Sequence, residues 1–359
     1  MNKKSQVVVV PDFREGNPYQ SMLSENLEKL GHEISFDKYP VGYFPFSELC
    51  KKHPDAKVIH LHWLSPLLTI LSWTSSPLKA KLRCLLIALD CLKLRMSGKT
   101  IVWTIHNKFA HEGFDRNTEL FLRKLLVTCV SKIIVHSESA KTRLAEAYHS
   151  TTIKQKANVI FHGNYTGMYP KADTSRDALL TDLGIPVSST LILCFGMLRK
   201  YKGIEKLATI FNTANIPDNF HLLICGKADD QKYADELLSI CAKSPQVHLQ
   251  LGFLSDAELS NLLSAADLVA VPFSDTLTSG SVILAMTEGK ALLLSEVSKV
   301  FDCVPDNGAV YYNSEDEIAI KLQSLSQKEI MNMGAINKRV ADTMNWEEVA
   351  KLTSDCYNN

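Results

Sequence analysis

No run of about eighteen uncharged apolar residues occurs in the chain, so no membrane-spanning helix is expected. The opening MNKKSQVVVVPDF holds only four valines before Pro11 and Asp12, too short for the apolar core of a secretory leader; it reads as a first strand. GxGxxG is missing after that strand, where the text is PDFREGNPY, and GxxxxGK[ST] is missing throughout. Nicotinamide, flavin and P-loop nucleotide sites are therefore not expected. CxxC is absent too. The nine cysteines (50, 84, 91, 129, 194, 225, 241, 303, 356) show no metal-like spacing with histidine, and several lie in apolar runs such as LILCFG (191–196). Buried free thiols in a reducing cytosol follow, with no metal site.

What is present favours two domains. The 359 residues are 46% apolar and 22% charged, enough to bury real cores. Formal net charge is zero, but residues 1–170 carry 23 Lys and Arg against 14 Asp and Glu, and the remainder carries 16 against 25. A basic half and an acidic half imply different partners. The basic half lacks the aromatic–basic interleaving that single-stranded nucleic acid requires, so an anionic membrane surface is the expected partner and nucleic acid is not. Within LSPLLTILSWTSSPLKAKLRCLLIALDCLKLRMSGK (64–99), apolar residues mix with Lys79, Lys81, Arg83, Lys93 and Arg95. That mixture reads either as an interfacial helix or as a core helix with a solvated basic face.

Hydrophobic periodicity alternates between two templates. QVVVV (6–10), KVIHLHW (57–63), TIVWTIHN (100–107) and KIIVHS (132–137) read as strands, with helices at 19–31, 78–95 and 118–129. The pattern restarts after the polar stretch 165–186 with TLILCFG (190–196), FHLLICG (220–226), VHLQLGF (247–253), DLVAVPF (267–273) and ALLLSE (291–296). The expected class is α/β: two doubly wound, Rossmann-like domains facing a cleft, 1–170 and 171–344, with a last helix (345–359) packing back on the first domain. Ligands bind such sheets at the C-terminal strand edges.

Four strand-end turns in the second half carry candidate chemistry. CFGMLRKYKGIEKL (194–207) places Arg199, Lys200 and Lys202 at a helix start, where cations are misplaced unless an anion joins them. Arg forking onto oxygens and Lys as a point charge suit a diphosphate. ICGKADD (224–230) sets Gly226 and Lys227 at the next strand end. LGFLSDAELSNLL (251–263) puts Phe253 and Leu254, suited to a flat ring, ahead of a Ser255–Glu258 capping box. TSGSVILAMTEGK (278–290) supplies Thr278, Ser279, Gly280 and Ser281 as a cradle.

In order, these segments resemble the donor-binding domain of GT-B glycosyltransferases, and among them GT4-like bacterial polysaccharide and glycolipid enzymes. HLHW (60–63), TIHNKFAHE (104–112), IIVHSESAK (133–141) and VIFHGNY (159–165) match that family's acceptor-side landmarks. The resemblance implies transfer of a sugar from a nucleotide diphosphate, with no metal and no cofactor, to a saccharide or lipid-linked saccharide. The scattered thiols and the basic first half add the expectation of a cytoplasmic enzyme, peripheral at the inner membrane face. Arg199 and Lys202 match the diphosphate pair, although the commoner arginine position holds Met197. His106 matches the histidine near the donor sugar, and Gly280 the glycine whose amide meets the donor. Leu277 and Leu284 stand where the family has two glutamates; Glu288, one helical turn after Leu284, is the remaining carboxylate that could reach a ribose.

An inverting enzyme would need a base from the first half. The candidates are His106, His111, Glu112 and Asp115, with Asp12 and Glu15; Glu112 is favoured. His60 and His62 alternate along a strand; both read as satisfied core histidines, with a cleft-facing His62 as the alternative. Two readings of another class stay open: a non-catalytic nucleotide-sugar-binding subunit and a two-domain nucleotide-sugar epimerase. The donor sugar, the base of the nucleotide, the acceptor and the stereochemistry are not encoded legibly.

Overall fold

The computed structural model describes residues 5–72, 76–110 and 115–358. The chain forms two compact units, Met1–Gly163 with Asn345–Asn359, and Asn164–Met344. In the first, elements run β1 (Gln6–Val10), α1 (Pro18–Lys29), β2 (Glu33–Phe36), α2 (Pro45–Lys52), β3 (Val58–Leu61), α3 (Ser65–Ser72), α4 (Pro77–Met96), β4 (Thr100–Thr104), α5 (Arg116–Cys129), β5 (Lys132–Val135), α6 (Glu138–Ala147), α7 (Thr151–Lys156) and β6 (Ala157–Val159). The second runs α8 (Arg176–Asp182), β7 (Thr190–Phe195), α9 (Ile204–Thr213), β8 (Phe220–Gly226), α10 (Gln231–Cys241), β9 (Val247–Leu251), α11 (Asp256–Ala265), β10 (Leu268–Val271), α12 (Gly280–Thr287), β11 (Ala291–Ser295), β12 (Ala309–Tyr312), α13 (Glu315–Gln323) and α14 (Gln327–Thr343). The final helix, α15 (Trp346–Asn358), belongs to the first unit.

Both sheets have six strands, all parallel, in the orders β2-β1-β3-β4-β5-β6 and β12-β11-β10-β7-β8-β9. Every residue of β7 and β8 is buried, because helices cover both faces and leave no polar side to alternate with. Strand order reverses between β1 and β3 in the first sheet and between β7 and β10 in the second. Side chains following those strands therefore fall at the crevice where doubly wound sheets take their ligands.

The units divide a few residues before position 170, where the sequence places the boundary. The intervening segment is held by the second unit: Asn164 N donates to Met344 O (2.7 Å), Asn164 Nδ2 to Ala341 O (2.8 Å) and Tyr165 N to Thr287 Oγ1 (3.2 Å). In the first unit, α15 packs on α1 through Trp346, Val349 and Ala350 against Tyr19, Leu23 and Leu27. Gly163 makes room for that helix, since a Cβ there would lie 2.3 Å from Trp346 Cε2. All nine cysteines are free thiols, seven of them buried. Among the described residues, no helix is long and apolar enough to cross a membrane.

Candidate active site

In the second unit the turns after β10, β7, β8 and β9 line one sheet edge. Backbone bonds lace them together: Leu198 N to Lys227 O (2.8 Å), Asp229 N to Leu198 O (3.0 Å) and Gly252 N to Gly226 O (3.0 Å). Gly226, at φ +148°, lets the turns close up, because a Cβ there would stand 1.8 Å from Gly196 O. Residues Lys200–Lys202 form a 3₁₀ turn ended by left-handed Gly203, and Ser274 Oγ donates to Tyr201 O (3.0 Å).

The two candidate cations of this turn differ. A Cβ built on Gly196 would lie 3.7 Å from Lys202 Nζ and 3.9 Å from Ser281 Oγ, so ammonium and hydroxyl converge on one point at the start of α12. Among the described residues, no carboxylate pairs with Lys202. Burial pushes its pKa down; the Cys194 thiol opposes that in part, and Arg199, the smallest of the three influences, pushes it down further. Arg199 Nε lies 3.3 Å from Asp229 Oδ1 without the alignment of a hydrogen bond, and this buried donor remains unsatisfied. Ser279 caps α12, its hydroxyl accepting from Val282 N (3.3 Å). Two cations in one turn, Lys202 without a carboxylate and Arg199 with an unsatisfied Nε beside Asp229, form an anion site in waiting.

The other predicted residues of this unit fall as follows. Lys227 is exposed beside the Arg199 turn. Phe253, 84% exposed, and Leu254 follow the edge strand β9. Thr278, Ser279, Gly280 and Ser281 enter α12 together. Leu277 and Leu284 are both buried, so apolar packing replaces the two carboxylates. Glu288 is the exposed C-terminal cap of α12, about 12 Å of helix from the Ser279 end. The single helical turn from Leu284 carries it away from the cradle, and the structure does not group it with the other candidates.

In the first unit, four histidines gather where β3 to β6 end. His62 Nδ1 meets His106 Nε2 at 2.9 Å, His106 Nδ1 meets His136 Nε2 at 3.4 Å, and His136 Nδ1 meets Ile160 O at 2.9 Å. His162 Nδ1 donates to Gly163 O (2.7 Å). Trp63 stacks on His106, centroids 4.3 Å apart, and Tyr19 presents its edge to His62, His106, His136 and His162. Burial keeps these rings neutral: His162 is pushed down to about 3 and His136 to about 4, while His62 and His106 fall well below the usual histidine range. His60 matches its reading as a satisfied core residue, bonded to Tyr357 Oη (2.8 Å) and Thr104 Oγ1 (2.7 Å). His62 does not, because its Nε2 is buried without a partner.

The loop after β4 is strapped to α5. Glu119 Oε1 accepts from Ala110 N (2.6 Å) and Arg123 Nε (2.8 Å), and Arg123 Nη1 donates to Asn107 O (3.2 Å) and Tyr148 Oη (3.1 Å). His62, Trp63, Ser65, Trp103, His106 and Arg123 border a cavity of about 30 Å³, room for a water or one hydroxyl group. His106 spends both ring nitrogens on other histidines, so it meets no substrate directly in this arrangement. Asp115 caps α5 through Thr118 N (2.7 Å), and Asp12 pairs with Arg14 (2.9 Å). His111 and Glu112 lie outside the described residues. Sequence reading missed Trp63, Glu119, Arg123, His136 and His162 as site residues; the second and third are spaced four apart on one helix, and only that spacing could have marked them.

Residues 175–340 match the family of glycosyl transferases group 1. A GDP-mannose:glycolipid 4-beta-D-mannosyltransferase of Xanthomonas campestris pv. campestris is 25% identical over 279 residues, 77% of this chain and 69% of that protein. A D-inositol 3-phosphate glycosyltransferase of Corynebacterium aurimucosum is 24% identical over 72% of this chain and 65% of its own length. Among solved structures, sucrose-phosphate synthase from Thermosynechococcus elongatus has a TM-score of 0.74 at 16% identity, covering 99% of this chain and 98% of that one. Anabaena Alr3699/HepE in complex with UDP-glucose gives 0.70 at 15%, with 98% of both chains covered. These structural likenesses concern the fold.

Proposed function

The chain is a glycosyltransferase of the GT-B fold acting on a nucleotide-sugar donor, and from that premise we propose that it passes the sugar, without a metal ion, to a saccharide or lipid-linked saccharide at an anionic membrane surface. The observation that carries the donor half is the pair Lys202 and Arg199, an unpaired ammonium beside the start of α12 and an unsatisfied guanidinium nitrogen in the same turn. Together they supply the positive charge that a diphosphate leaving group needs, in place of a metal. Phe253 and Leu254 take the face of the nucleotide base, and Thr278 to Ser281 take phosphate and sugar oxygens. Lys227 adds charge at the rim.

The acceptor half rests on α4. Leu78, Leu82, Leu85, Leu89, Leu92 and Met96 recur at steps of four and three and are all exposed, from 38% to 89%. Lys79, Lys81, Lys93 and Arg95 flank that stripe and are exposed as well. This is the composition of a helix lying in a lipid interface, and the related Xanthomonas enzyme is named for a glycolipid acceptor.

GDP-mannose is the first donor to test because of that relative, with UDP- and ADP-sugars beside it. A bound donor raises the melting temperature by mass action. Lys202→Ala should weaken donor binding roughly 10- to 100-fold, the loss of one charge-assisted contact. Unchanged donor affinity in that variant would remove Lys202 from the site.

A further inference from the structure

Arg199 and Asp229 are brought together by the backbone. Leu198 N donates to Lys227 O (2.8 Å) and Asp229 N to Leu198 O (3.0 Å), so the turns after β7 and β8 run side by side and set the two side chains next to one another. The contact they make is loose: Arg199 Nε lies 3.3 Å from Asp229 Oδ1, and that buried nitrogen has no hydrogen-bond partner. The neighbouring carboxylates are committed elsewhere. Asp230 caps α10 through Tyr233 N (2.7 Å), Glu205 accepts from Tyr233 Oη (2.7 Å), and Glu236 takes Lys200 Nζ (3.2 Å). Asp229 is therefore the carboxylate that faces Arg199, while Lys202 has none among the described residues. The side chains of Arg199 and Asp229 are 35% and 28% exposed, unlike the buried pair Arg123–Glu119. A carboxylate open to water is rehydrated when its cation leaves, so this pair parts at small cost where the buried one does not.

We propose that Asp229 is a positioning residue that stands in for the diphosphate: it holds Arg199 at the anion site between turnovers, gives it up to the donor, and takes it back as the nucleotide diphosphate leaves. The inference rests on the donor reading of Lys202 and Arg199 above and concerns the second unit alone. A diphosphate carries more charge than one carboxylate, and its oxygens suit the fork of bonds that Arg199 Nε lacks beside Asp229. Breaking the resting contact subtracts from the affinity for nucleotide, and remaking it hastens release of the product. Affinity set in this way is read chiefly in the dissociation rate.

The test measures binding of GDP, UDP and ADP to the full chain by titration calorimetry, in wild type, Asp229→Asn, Arg199→Ala and the double variant. Asparagine keeps the side-chain volume and leaves the backbone bond to Leu198 O in place, so the melting temperature without nucleotide should hold. Asp229→Asn should tighten binding of the nucleotide that the wild type takes by about 2- to 5-fold, the range of a partly exposed ion pair. Its dissociation in stopped flow should slow by a similar factor, and Asp229→Ala should act in the same direction. In the Arg199→Ala background the gain should disappear, which a purely structural role for Asp229 would not produce. A gain below twofold, weaker binding, or an equal gain in that background would each overturn the role of Asp229 and leave the donor reading standing. Failure of the wild type to bind any of the three nucleotides would overturn the donor reading, and the displacement with it.

Discussion

An ion pair taken out of water leaves each partner dependent on the other, and Glu119–Arg123 is such a pair, at 1% and 4% side-chain exposure. Both groups also hold the backbone between Asn107 and Ala110, beside the histidine row. Glu119→Ala should cost roughly 3–5 kcal/mol in urea unfolding, because Arg123 would remain buried and uncompensated. A loss under about 1 kcal/mol would show that the pair is solvated. In sequence, an acidic and a basic residue four apart on a helix read as a surface pair; their burial depends on a loop from another element and is not legible there. Arg199 and Lys202 are the opposite case. They lie three residues apart in one turn, so their convergence is local and could be read directly. The histidine row could not, because its members come from four strands and meet only through the sheet register.

At the scale of elements, the buried strands were legible because their apolar runs are continuous, as in β1 and β8, whose bounds coincide with the segments read from sequence. The short strands β2, β6 and β12, of four, three and four residues, carry too few positions to show a period. The stretch 64–99, open in sequence between an interfacial helix and a core helix with a solvated basic face, contains two helices, with Ser76 capping α4 and Pro77 at its first position. Buried Asp90 on α4 accepts from Phe46 N (2.8 Å) and Ser47 N (3.0 Å) at the start of α2, which fixes how α4 rotates and leaves its leucine stripe outward. The interfacial role therefore makes an element-level prediction. Leu82→Asp with Leu89→Asp should reduce flotation with anionic liposomes about tenfold or more, since each leucine seated in lipid contributes on the order of 1.5–3 kcal/mol. Both side chains are exposed, so melting temperature and the donor-induced shift should not change. Equal flotation of variant and wild type would exclude α4 as the lipid contact.

For the whole molecule, the distribution of buried histidines sets the response to acid. His32, His60, His62, His106, His136 and His162 all lie in the first unit with their pKa values lowered, by burial above all. The second unit has the His221–His248 pair, ring nitrogens 3.0 Å apart, also lowered. In the unfolded chain each ring titrates near 6.5. Above that pH both states are neutral, and the histidines make stability independent of pH. Below it the unfolded chain binds protons that the folded chain refuses, so stability falls as pH drops from about 6.5 towards the folded values, near 3 for His60 and His162. Each fully buried ring then costs about 1.4 kcal/mol per pH unit, or about 2 kcal/mol at pH 5. His60 and His162 alone would remove about 4 kcal/mol, a large share of the roughly 5–15 kcal/mol that holds a domain folded. Model carboxylates stay largely ionised in this interval, so they do not mask the trend. Calorimetry between pH 7.5 and 5 should therefore resolve two transitions, with that of the first unit moving down steeply and that of the second moving less. Transitions that shift together, or a first-unit melting temperature that holds constant to pH 5, would mean that the buried histidines are charged or solvated in the folded protein.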